Sequence, residues 1–210
     1  MLISKHRSCN GNSLVELMIS MALGMASITA MASLVGHGIG LNASLLAKSR
    51  LDEEVNAVLA LISQEVKRAG YQSLPAQMLD NPELFNNPFA NKVLVSAFPN
   101  ESADSCINFV YDRNKNGQLD IAQTNENYGY RLKNKAVEIR LDGLNCDQNG
   151  WHDLTDPQII NVTELSFVAE KQQVLQLSQT RIHISLHAYL VKYPDVSRYV
   201  QTTVVLENYE

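Results

Sequence analysis

The chain has 210 residues, 45% hydrophobic and 19% charged, which allows one ordinary domain plus an appendage. Ten glycines and six prolines are too few for wholesale disorder. A net charge of −5 gives no support to a nucleic-acid partner, which calls for a basic face.

The chain starts with MLISKHRSCNG, residues 1–11, which carries Lys5 and Arg7 and no acid. Over the next stretch, Leu14 to Val35, Glu16 is the sole ionisable residue among 22 positions. About 20 apolar residues suffice to cross a bilayer as a helix. Basic residues before the run keep the N-terminus on the cytoplasmic side. An ordinary secretory signal places its small cleavage residue after an apolar stretch of about 7–15 residues. Here the small residue, Gly11, comes first. Cleavage after Gly11 would remove the basic leader and keep the greasy helix. It would also discard Cys9, leaving Cys106 and Cys146, and would leave 15 basic residues against 22 acidic, a net −7. Two cysteines in a polar, strand-rich region fit a disulfide if the head is exported to an oxidising compartment; two free buried thiols are the alternative. The bridge would close a loop of 41 residues counting both ends. Such a closure contributes roughly 4 kcal/mol, less any strain.

Glu16 is out of place by composition alone. A lone carboxylate at the centre of a membrane helix costs about 2.5–3.5 kcal/mol. Acids in such positions have a partner, a function, or a route to the interface. The stretch GNSLVELM resembles the type III signal of type IV pilins and pseudopilins. That resemblance implies cleavage by a prepilin peptidase after Gly11 and N-methylation of the new first residue, Asn12. Asn12 departs from the Phe or Met usual there. It further implies that Glu16, fifth in the mature chain, pairs with the terminal amine of a neighbouring subunit and sets axial register during assembly.

Beyond the apolar run, Gly36, Gly38 and Gly40 weaken the helix by roughly 1 kcal/mol each relative to Ala. A kink or local melting is expected there. Helical pattern then resumes. Leu51, Val55, Val58, Leu59, Ile62, Val66 and Ala69 fall on one face. Acids lie early and bases late, as the helix dipole favours, and Gly70 offers a C-terminal stop. No heptad persists, so a freestanding coiled coil is the weaker reading. The expected organisation is a leader at 1–11, a transmembrane or filament-core helix at 12–36, an amphipathic half at 37–70 and a globular head at 71–210.

Residues 71–105, with Pro75, Pro82, Pro88 and Pro99, read as a long connecting loop. From 106 the pattern turns strand-like. Segments 106–112, 127–132, 136–141, 162–170, 180–191 and 197–207 are the predicted strands, with a hairpin across Lys133–Lys135. In 180–191, Ile182, Ile184, Leu186, Ala188 and Leu190 share one face. The sum is an α+β fold: a long N-terminal helix packed on an antiparallel β-sheet.

Few segments suggest chemistry. DRNKNGQLD resembles the first half of a calcium loop, with Asp112, Asn114, Asn116 and Asp120 as ligands. Position twelve is Gln123, where such a loop needs a bidentate Glu. The simpler reading is a polar loop turned by Asn116-Gly117. So no cofactor is expected beyond a weak calcium ion. His183 and His187 sit four apart on one strand, roughly 13 Å between Cα atoms, too far for one metal ion. Trp151 reads as a core or loop anchor. His152 and Asp153 belong to no nucleophile–base set, and neither a glycine-rich phosphate loop nor zinc spacing appears. An enzyme is not expected.

CINFVYDRNKNGQLD, NYGYRL and GWHDLTDPQIINVTELSF together resemble minor pilins of the PilW kind. The J pseudopilins of type II secretion are related. The resemblance implies a minor pilin that primes a type IV pilus and stays at or near its tip. Its implied partners are other minor pilins, the major pilin, prepilin peptidase and an inner-membrane assembly platform. Its implied location is the inner membrane with a periplasmic head, then the cell surface. A type II secretion pseudopilin, and a tip adhesin or DNA-capture module, are the alternatives.

Overall fold

The structure is a computed structural model. It describes residues 13–73, 80, 87–122, 125–140, 143–174 and 177–206. The chain divides into two compact units at Leu46/Ala47. One helix, α1 (Leu14–Lys67), runs through both.

In the first unit α1 is exposed from Leu14 to His37. Leu14, Met18, Leu23, Ile28 and Leu34 are each more than half exposed, so no face is reserved for a core. Three of its hydroxyls bond within the helix. Ser20 donates to the Glu16 carbonyl (2.7 Å), Ser27 to that of Leu23 (2.9 Å) and Thr29 to that of Met25 (3.0 Å). This back-bonding lets a polar side chain sit in an apolar medium without an orphaned group. The break expected at Gly36, Gly38 and Gly40 is absent, and α1 is helical throughout. Helix propagation adds one hydrogen bond per residue fixed. Long helical flanks on both sides keep three weak positions helical.

In the second unit the amphipathic pattern is realised. Leu51, Val55, Val58, Leu59, Ile62 and Val66 are buried. The helix closes in a tight turn: Arg68 N–H donates to the Glu65 carbonyl and Ala69 N–H to that of Val66. Gly70 follows at φ 79°, where a side chain would be strained, and its N–H bonds the Val110 carbonyl.

The strands form two antiparallel sheets. The first orders β1 (Leu94–Ser96), β2 (Cys106–Val110), β3 (Asn127–Lys133), β4 (Ala136–Ile139) and β5 (His152–Asp153) in sequence. The second orders β6 (Ile160–Val174), β7 (Leu177–Leu190) and β8 (Ser197–Leu206). Two backbone bonds tie β6 to the first sheet, from Val162 N–H to the Lys135 carbonyl and from Phe167 N–H to the Asp104 carbonyl. The β3–β4 hairpin turns at Asn134 and Lys135, with φ 50° and 67°. Positive φ at both central residues matches the strand twist. Along β7, Ile182, Ile184, Leu186, Ala188 and Leu190 are buried and join the α1 stripe in one core, with Ile107, Phe109, Leu165 and Phe167.

A second, smaller cluster fastens the first sheet. Cys106 and Cys146 are disulfide-bonded, with Cα atoms 6.2 Å apart. Arg131, wholly buried, donates from Nε to Glu138 Oε2 at 2.6 Å. Its Nη1 donates to the carbonyls of Cys146 and Gln148, both at 2.6 Å. The guanidinium lies 4.4 Å from the Trp151 ring and 4.8 Å from that of Phe98. One buried cation therefore holds the loop carrying Cys146 against β3. Replacing Glu138 by Ala strands that cation and should destabilise the chain by about 3–5 kcal/mol. The expected reading is a lowered urea midpoint for the detergent-solubilised protein; an unchanged midpoint would contradict the pairing.

Candidate functional site

The N-terminal end of α1 is the first candidate. Ser13 caps the helix, its carbonyl accepting the N–H of Glu16 (2.9 Å) and of Leu17 (3.1 Å). Glu16 stands in the first turn, where the helix dipole favours an acid. It is exposed, and among the described residues no side chain partners its carboxylate. Gly11 and Asn12, with the rest of the 1–11 leader, lie outside the described residues. What surrounds Glu16 is apolar: Val15, Leu17, Met18 and Ile19 are all more than half exposed. This segment is long and apolar enough to cross a membrane, which makes it a candidate anchor.

The 112–120 loop is the second. Its four expected ligands do come together, but around hydrogen bonds. The buried Asp112 carboxylate accepts the N–H of Asn116 (3.2 Å), Gly117 (2.9 Å) and Ser73 (3.1 Å). Asp120 accepts the side-chain amides of Asn114 (2.6 Å) and Asn116 (2.8 Å). Glu126, which sequence reasoning passed over, is also buried. Its carboxylate accepts the N–H of Arg113 (2.7 Å), Asn114 (3.3 Å) and Asp120 (3.1 Å). Two buried acids thus take the loop's inward backbone donors. Gln123, the twelfth loop position, lies outside the described residues. Among the described residues no group of three or more His, Cys, Asp or Glu side chains is placed to hold a metal ion. The four residues Asp112, Asn114, Asn116 and Asp120 close the loop through hydrogen bonds to its own backbone and side chains.

The histidines do not converge. His183 Nδ1 lies 2.9 Å from Thr203 Oγ1 and its Nε2 lies 3.1 Å from Glu170 Oε2. His187 Nδ1 lies 2.9 Å from Thr163 Oγ1. His152 and Asp153 form β5 and are exposed. Trp151 is buried and donates from Nε1 to the Asn145 carbonyl at 3.2 Å.

Between the head portion of α1 and the 158–160 and 190–193 segments lies a groove of about 770 Å³. Leu51, Ile159, Ile160 and Tyr193 give it an apolar floor; Glu54 and Lys192 stand beside them. Burial, and then the nearby Asp156, hold the Glu54 carboxyl above its ordinary pKa. Its walls come from segments far apart in the chain, which no local pattern announces. At the other end of the helix, Tyr111 donates to Glu65 Oε2 at 2.5 Å and stacks on Tyr128 at 4.1 Å. The Arg68 guanidinium lies over the Tyr111 ring at 4.0 Å. Burial, then that bond to Glu65, push the Tyr111 hydroxyl well above its ordinary pKa, so it stays a proton donor. The tyrosine pins α1 to β2 and β3.

A protein from Haemophilus influenzae strain Rd, described only as uncharacterized, is similar to this chain. The two are 25% identical over 201 aligned residues, covering 78% of this chain and 82% of that one. No solved structure matches the chain. The family model of prepilin peptidase-dependent protein B matches residues 44–206. That match spans both the head portion of α1 and every strand. It covers the helix-first α+β head and leaves the candidate membrane anchor outside the matched residues. The chain belongs to the prepilin peptidase-dependent protein B family, a pilin-related family.

Proposed function

We propose that this protein is a minor pilin of a type IV pilus, acting with other minor pilins to prime the filament and remaining at or near its tip. The observation that carries the reading is the character of α1: apolar and exposed on all sides through its first half, apolar on one buried stripe through its second. A bilayer stores such a subunit. Extraction into a filament replaces lipid around residues 14–35 with neighbouring helices, so the apolar surface never meets water. Family membership supports the dependence on prepilin peptidase, and hence a role in pilus or secretion machinery. The assembly motor is a separate protein under this reading.

In this account prepilin peptidase cuts after Gly11, and Asn12 becomes a methylated, cationic N-terminus. Glu16 stands one helical turn further on. Its carboxylate answers the amine of a neighbouring subunit when helices stack, which offsets the cost of holding a charge in an apolar surround. The resemblance of segments 106–120, 127–132 and 150–167 to minor pilins of the PilW kind supports a pilus over the type II secretion machine. The 112–120 loop serves as a rigid connection and needs no bound ion.

Two outcomes are expected. Replacing Gly11 by Asp should leave the protein at precursor size on a gel; a variant that still runs at mature size would refute the cleavage site. Deleting the gene should cut surface pili several-fold while leaving type II secretion intact, and a Glu16→Ala chain should fail to restore them. Loss of secretion with normal piliation would instead assign the protein to the secretion machine.

A further inference from the structure

We propose that the 143–151 loop docks on the first sheet before its disulfide forms, with Arg131 as the residue that positions Cys146 for oxidation. The bond then locks a loop already in place. All the parts of this device lie in the head.

Strand register brings the groups together. Cys106 on β2 is the direct partner of Arg131 on β3, and Arg131 is the partner of Glu138 on β4. The two cysteines are 40 positions apart in the chain. Pairing of β2 with β3 sets Cys106 beside Arg131, and from Arg131 to Cys146 the separation is only 15. A shorter span costs less entropy to close. Arg131 itself closes it. The guanidinium that Glu138 holds through Nε donates from Nη1 to the Cys146 carbonyl. The residue opposite one cysteine thus holds the backbone of the other.

The loop is held at several points without sulfur. Arg140 Nε donates to the Leu144 carbonyl at 2.5 Å, and its Nη2 to that of Gly143 at 2.7 Å. The Asn145 carbonyl accepts Trp151 Nε1 at 3.2 Å and the Gln148 N–H at 3.1 Å. Arg131 takes the carbonyls of Cys146 and Gln148. Every carbonyl from Gly143 to Cys146 therefore has a donor, in most cases a guanidinium. Such charge-assisted bonds are about twice as strong as neutral ones. A cross-link, by contrast, acts chiefly on the unfolded chain. If docking comes first, cutting the disulfide lowers stability and leaves the folded loop in place. If the disulfide comes first, cutting it frees the loop.

The oxidant is an external disulfide, such as oxidised glutathione. Cys106 is wholly buried and Cys146 is nearly so, clustered with Trp151 and Leu144, so the loop must open for the first step. The Cys146 thiolate then attacks the glutathione disulfide, forming a mixed disulfide and releasing one glutathione thiolate. Arg131 draws the loop back. The Cys106 thiolate attacks the Cys146 sulfur and releases the second glutathione. The two cysteines lose two electrons and two protons between them, and the glutathione disulfide is reduced to two thiols. Docking raises the effective concentration of Cys106 at the mixed disulfide.

Trp151 is the one tryptophan of the chain, so its fluorescence reports on this loop. The full chain is purified in detergent, and the rate constant for acrylamide quenching is measured. Cys106→Ala/Cys146→Ala should lower the urea midpoint while quenching stays within about twofold of wild type. Arg131→Gln/Glu138→Gln removes both charges and strands neither. With its disulfide intact, this paired variant should be quenched at least roughly threefold faster. Its Cys106–Cys146 equilibrium with glutathione, read by peptide mapping where both redox forms stay folded, should fall roughly tenfold or more. Loss of global stability alone would not move that equilibrium. Two results would overturn the proposal. One is an alanine variant that does not fold, or whose Trp151 is quenched as freely as in urea. The other is a paired variant with wild-type quenching and a wild-type glutathione equilibrium. The alanine arm leaves Arg131 untouched, so it decides the order of events whether or not the paired variant folds.

Discussion

One helix here has to be solvated by two media. Through residues 14–37 α1 offers apolar side chains on every side, and from Leu51 it offers them on one. Water suits only the second half. The first half needs lipid, or other helices of the same kind. Everything downstream follows from that division. The head folds on the α1 stripe from Leu51 to Val66, which lies wholly within its own unit. The hydroxyls of Ser20, Ser27 and Thr29 turn inward to their own backbone, while among the described residues the Glu16 carboxylate has no side-chain partner.

The head is made rigid by means that reach across the sequence. The α1 stripe and the buried face of β7 share one core. The disulfide and the Arg131 clamp hold a loop that has little regular structure of its own. Asp112 and Glu126 do the same for the 112–120 turn by taking backbone donors that would otherwise lack partners. Each device fixes a surface without adding a strand. A surface fixed in this way has little order left to acquire on binding.

Much of this was legible in the chain. The α1 stripe followed from a 3.6-residue period, and the buried face of β7 from strict alternation. The hairpin at 134–135 followed from two strand-like segments on a short polar turn. Other parts were legible only in part. Arg131 and Glu138 are direct partners across that hairpin. A buried pair of opposite charge could therefore have been read once the register was fixed, but neither residue looks buried by itself. Glu126 sits beyond the expected calcium spacing, so the loop's second hub escaped. The division into two sheets turns on where β4 stops and β6 begins, which is a matter of tertiary contact. The three glycines misled in the other direction, since propensity is weak against the cooperativity of a long helix.

The proposed assembly requires a charged amine, made by cleavage, one turn from a carboxylate in an apolar helix. The intact mass of the protein recovered from native membranes tests it most directly. The account predicts a chain that begins at Asn12, carries one added methyl group and lacks two hydrogens for the Cys106–Cys146 bridge. A mass that fits a chain beginning at Met1 would contradict it.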